Sequence, residues 1–166
     1  MRRSWLVGAV ALLVGITACG GDDGGADDDF VGDIRAAMEA VEAERGPGQQ
    51  YFEVTATPQL TNVFVATDEG TAAIPYVYLD GELQAPAPKL TGASGFTFEA
   101  DMVDFDEDTV LSGVLEEVPG STIESVSVEG GVNDTVRYVV SVRSTAGGLL
   151  DVTVGPDGDV FEVDPV

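Results

Sequence analysis

The chain has no histidine, one cysteine, and only seven lysine and arginine residues in 166. Without histidine there is no Ser-His-Asp or Cys-His relay, and no imidazole to hold a transition metal. The lone cysteine, Cys19, allows no internal disulfide and leaves zinc without a set of soft ligands. Lys89 is the only lysine. A serine–lysine pair therefore reduces to Lys89 with nearby Ser94, and Lys89 adjoins a proline-rich stretch that reads as solvent-exposed. The 30 acidic residues bring the net charge to −23. Such a chain repels nucleic acid, has no basic patch to neutralise phosphates, and is repelled by anionic lipid headgroups. Paired carboxylates can run glycoside chemistry, but with so many acids a suitable pair arises by number alone. The expected class is a non-catalytic protein without metal or other cofactor, whose partners are cationic, neutral or apolar.

The N-terminus carries the most specific signal. Met1-Arg2-Arg3-Ser4 is basic, residues 5–16 are apolar or small, and Ile16-Thr17-Ala18-Cys19-Gly20-Gly21 follows. That order is a basic n-region, a short h-region and a small-residue cleavage site, and the apolar run is too short to span a bilayer comfortably. The segment resembles the lipobox of bacterial lipoproteins. The resemblance implies that residues 1–18 are removed and that Cys19 becomes the first residue with lipid on its thiol. It also implies that the chain is anchored at the extracytoplasmic face of the cell membrane. Each buried methylene contributes about 0.8 kcal/mol, so several acyl chains anchor stably. Residues 20–29 are glycine, aspartate and alanine. Their flexibility and hydration make residues 19–29 an acylated tether rather than a folded element.

Beyond the tether the hydrophobic period changes twice. Val31, Ile34, Met38 and Val41 recur at helical spacing, and Arg45 with Gly46-Pro47-Gly48 ends the pattern, which predicts a helix over residues 30–45. Phe52, Val54 and Ala56 alternate with Glu53, Thr55 and Thr57, and Val63-Phe64-Val65 forms a second strand. A strand over residues 74–79 meets Asp80-Gly81, a favoured two-residue hairpin turn, and returns through residues 82–84. Pro75 predicts an edge position for it, and Ala85-Pro86-Ala87-Pro88 reads as an extended linker. Phe96, Phe98 and Ala100 form a connecting strand. The pattern then restarts. Leu111, Val114, Leu115 and Val118 make a helical stripe that Pro119-Gly120 ends. Strands follow around Val126, over residues 135–142, over residues 150–154 and, after Pro156-Asp157-Gly158, over residues 160–163.

The order of a helix, two strands and a hairpin occurs twice. The expected fold is therefore α+β, with two related units at residues 30–88 and 89–166, each a helix packed on an antiparallel sheet. Its alternative is one continuous sheet with two helices on one face. Residues 110–163 resemble a PepSY-type domain, through the helix ending at Val118-Pro119-Gly120, the strand around Val126, the paired strands at 138–142 and 150–154, and the closing turn. That resemblance implies a binding or regulatory module and transfers no catalytic residue.

Two clusters need separate readings. Asp104-Phe105-Asp106-Glu107-Asp108 has the spacing of a calcium loop, but Thr109 stands where the loop needs glycine and Leu115 where it needs glutamate. The acids are instead expected at a helix N-terminus. Tyr51, Phe64, Tyr76, Tyr78, Phe96 and Phe98, together with Phe52, are core residues by alternation. They are also the residues available to line an apolar groove between sheet and helix. The function expected is a lipid-anchored envelope module that binds a protein or peptide. The alternative is a carrier for an apolar small molecule or lipid that uses the aromatic groove.

Overall fold

The computed structural model describes residues 28–166. The signal segment, Cys19 and the tether as far as residue 27 lie outside the described residues. A 3₁₀ turn at Asp28–Gly32 leads into helix α1, Asp33–Arg45. The expected stripe faces inward: Val31, Ile34 and Val41 are fully buried and Met38 nearly so. Four strands follow, β1 (Gln50–Ala56), β2 (Thr61–Thr67), β3 (Ala72–Leu79) and β4 (Glu82–Leu83). Two short strands, β5 (Leu90–Thr91) and β6 (Phe98–Glu99), lead to helix α2, Glu107–Glu117. Four more strands close the chain, β7 (Thr122–Gly130), β8 (Val136–Arg143), β9 (Leu149–Val154) and β10 (Val160–Pro165).

All ten strands form one antiparallel sheet, whose main path runs β10-β9-β8-β7-β1-β2-β3-β4. The protein is thus α+β with a single sheet. β1 pairs with β7, so the two meanders meet along their first strands. One cross-strand row runs through every strand of the path: Leu83, Tyr78, Thr61, Ala56, Val126, Val140, Val152 and Val163. Such a row keeps one face apolar, because side chains alternate along a strand and stay aligned across the ladder. Both helices cover this face and share one hydrophobic cluster with it, from Ile34 and Met38 of α1 to Val110 and Val114 of α2.

Local chemistry explains the joints. Asp80-Gly81 forms the expected two-residue turn, with φ of 52° and 80°, joining Leu79 to its partner Glu82. That left-handed pair matches the twist of the flanking strands. Pro75 lies near an edge, since β3 is flanked on its outer side only by β4 and β5. Its missing N–H points into the gap between them, where the Ala87 N–H donates to the Pro75 carbonyl at 2.9 Å. The proline-rich stretch, expected as a linker, therefore lines the rim of the sheet. Asp106 caps α2, accepting from the Thr109 N–H at 2.9 Å and its hydroxyl at 2.6 Å. These bonds hold its carboxyl below the usual carboxylate range. The acidic run is thus a helix start, as the absent loop glycine predicts.

Two side-chain contacts fix the approach to α2, one from α1 and one from β8. The Arg35 guanidinium donates to the carbonyls of Val103 at 2.8 Å and Phe105 at 3.3 Å, and lies 5.6 Å from the centre of the Phe105 ring. The Tyr138 hydroxyl accepts from the Asp104 N–H at 3.1 Å and donates to the Asp104 carbonyl at 3.3 Å. α2 meets the β9–β10 turn at bare backbone, where a Cβ on Gly113 would sit 2.2 Å from the Gly158 carbonyl oxygen. Gly113→Ala therefore forces helix and hairpin apart. Urea unfolding is expected to show a loss of about 1–3 kcal/mol.

Candidate functional site

The helix-free face of the sheet is built from the alternate residues. Thr55, Ser127, Val139 and Thr153 follow one another across it, and Thr55 and Ser127 share a hydroxyl hydrogen bond of 2.8 Å. Arg137 pairs with Glu129, and Arg143 with Glu124 at 2.6 Å. The latter contact raises the guanidinium pKa, chiefly through the hydrogen bond. This half of the face is polar.

The other half is not, because β1 breaks its own alternation. Tyr51 pairs with Val65 but Glu53 pairs with Phe64, so Phe52 is an extra residue in a bulge. A bulge turns two consecutive side chains away from the strict two-residue period. Tyr51 takes the core position, fully buried, and Phe52 joins Glu53 on the helix-free side. The sequence expectation that Phe52 shares a face with Val54 and Ala56 is corrected by that one residue. There Phe52, Phe64, Ala73 and Leu90 line an open groove of about 330 Å³, walled by Glu53 and by residues 91–94. Beyond β5 the chain crosses this face as a strap, from the β3 edge to β6 beside β1. Gly95 approaches the Phe52 ring, where a Cβ would stand 3.7 Å away. Gly130 admits the far end of the strap, since a Cβ there would sit 2.3 Å from the Phe96 carbonyl oxygen.

The six aromatic residues expected to share a groove do not come together. Tyr51, Tyr76, Tyr78 and Phe98 belong to the hydrophobic core on the helix side. Tyr51 and Phe98 stack with ring centres 5.7 Å apart. The Tyr51 hydroxyl donates to the Met38 carbonyl at 3.3 Å, and Tyr76 bonds to Glu44 and Arg45 of α1. Phe96 is 55% exposed. Of the six, only Phe64 lines the observed groove, which lies on the opposite face of the sheet. Phe52, the seventh aromatic of that cluster, lines it too, and Ala73 and Leu90 complete the apolar lining from outside the aromatic pattern. The bulge that exposes Phe52 has no local sequence signal, because Gln50-Tyr51-Phe52-Glu53 contains neither glycine nor proline.

Charge on the described residues is lopsided. Lys89 pairs with Asp68 at 2.7 Å, Arg137 and Arg143 hold their glutamates, and Arg35 and Arg45 bond within the fold. Glu53 faces Glu129 directly across the β1–β7 seam. Its carboxylate accepts from the Thr55 hydroxyl at 2.5 Å, and among the described residues no lysine or arginine forms an ion pair with it. Among the described residues no group of three or more His, Cys, Asp or Glu is placed to hold a metal ion. The chain matches no protein-family model, no curated protein and no solved structure.

The split between core and exposed aromatics is measurable. Phe98→Ala is expected to cost about 3–5 kcal/mol in chemical unfolding, and Phe96→Ala no more than about 0.5 kcal/mol. Burial, reinforced by nearby Glu42, raises the pKa of the Tyr51 phenol. A raised phenol favours the fold fully below the unfolded value of about 10 and loses that contribution as pH rises beyond it. Stability should therefore fall above about pH 10, and fall less steeply in Tyr51→Phe. Equal slopes in the two proteins would show that Tyr51 is not the group responsible.

Proposed function

We propose that the protein is a lipid-anchored, non-catalytic module of the bacterial cell envelope. It is held at the extracytoplasmic face through Cys19 and binds a protein or peptide partner with its helix-free sheet face. The observation that carries this reading is the division of the sheet. Both helices cover one face, and the other is left open with an apolar groove beside a polar surface. Placement at the membrane rests on the lipobox-like run Ile16-Thr17-Ala18-Cys19. Among the described residues no helix is long and apolar enough to cross a membrane, so the anchoring reading relies on lipid. The resemblance of residues 110–163 to a PepSY-type domain supports a regulatory or binding role over a catalytic one.

The carrier reading has less support, because four of the aromatics meant to line its cavity pack in the core. The division into two related units belongs to the same proposal. α1 followed by β1–β4 and α2 followed by β7–β10 share one element order, and β1 and β7 meet as equivalent strands across the seam.

The test places a photocross-linking side chain at Asn62 on the open face, or at Glu39 on the outer side of α1, in the full chain on intact cells. The expected result is one protein captured reproducibly from position 62 and not from 39. Cys19→Ala should release the chain from the membrane fraction and abolish capture. Equal capture from both positions would overturn the face assignment. Membrane retention of Cys19→Ala would overturn the anchor.

A further inference from the structure

We infer that the groove over Phe52 and Phe64 seats an extended segment of the partner in which an apolar residue stands next to a lysine or arginine. This inference rests on the binding-module reading and names its site and the chemistry of its partner. Three features of the groove select that occupant.

The floor is apolar. Phe52, Phe64, Ala73 and Leu90 line it, and Leu90 is half exposed at 50%. A side chain of leucine or phenylalanine size seated there is drawn out of water, which favours binding.

The wall carries an uncompensated negative charge. Glu53 stands on the helix-free side by ordinary alternation with Val54, and the bulge sets Phe52 beside it at the groove. Its cross-strand neighbour is another glutamate, and the five lysine and arginine residues among those described are engaged elsewhere. A cation beside the apolar anchor supplies what the protein itself does not. It also suits a chain whose net charge of −23 attracts basic partners and repels a second copy of itself.

The roof offers main chain. Strap residues 93–95 make no backbone–backbone hydrogen bond among the described residues, whereas Gly92 donates to the Thr71 carbonyl at 2.9 Å. Exposed N–H and C=O groups beside an apolar floor complement a peptide backbone, as in strand-addition recognition. A simple alkyl amine would leave them unmatched.

The full chain in nanodiscs of neutral lipid is titrated by calorimetry with a nine-residue peptide carrying leucine between two lysines. A counterpart with leucine between two glutamates, and hexylammonium, are titrated alongside. The lysine peptide is expected to bind, more weakly as salt rises. Glu53→Gln and Leu90→Ser should each weaken it about tenfold, and Glu39→Gln on α1 should leave it unchanged. Neither Glu53→Gln nor Leu90→Ser replaces a residue of the shared core. Equal weakening by Glu39→Gln, or equal binding of the glutamate peptide, would show non-specific attraction and overturn the inference. Hexylammonium binding without peptide binding would overturn the peptide assignment. If no peptide binds while photocapture from Asn62 still succeeds, the groove is wrong and the binding module stands. If photocapture fails as well, both fall.

Discussion

Four cross-strand pairs, from Glu53–Glu129 to Ala56–Val126, hold the two meanders together. Without them β1 and β7 would each be a long exposed edge, and each helix would have a narrow strip of sheet to cover. With them, apolar rows continue from β4 to β10. Val54 meets Val63 on one side and Val128 on the other, and Tyr138 and Val154 extend the same row. The core is therefore one body, although the chain approaches it as two successive runs of a helix and strands. Placing both helices on one face also leaves the opposite face without a helix across it.

The bulge in β1 acts on that frame at a single residue. Its two consequences are opposite in sign. It hands a core position to Tyr51, which packs on Phe98 and reaches the Met38 carbonyl, and it removes Phe52 from the core to the groove. The strap that crosses Phe52 depends in turn on Gly130, whose missing Cβ lets the Phe96–Thr97 peptide lie against β7. The groove is thus assembled from β1, β2, β3 and the strap together. Phe52 and the wall at residues 91–94 are distant in sequence and meet only in the fold.

The five lysine and arginine residues among those described bond within the protein: Arg35 joins α1 to the approach to α2, Arg45 bonds to Gln49 and Tyr76, and Lys89, Arg137 and Arg143 pair with acids at the surface. The excess of carboxylates is left outward. A strongly acidic surface limits self-association and favours basic partners, and its effect weakens as salt screens it.

The elements themselves were legible in the sequence. Hydrophobic spacing of 3.6 and 2 placed both helices and the main strands. Asp80-Gly81 named its own turn, Pro75 its position near an edge, and Asp106 and its neighbours a helix start. The composition set the acidic surface and ruled out histidine chemistry. These are local properties, fixed by residues a few positions apart. Only the tertiary structure decided that β1 pairs with β7, that Phe52 faces away from Val54, and that Tyr51, Tyr76, Tyr78 and Phe98 fill a core rather than line a cavity. Strand order and bulges depend on which distant residues stand opposite one another, and a period counted along one strand carries no record of its partner.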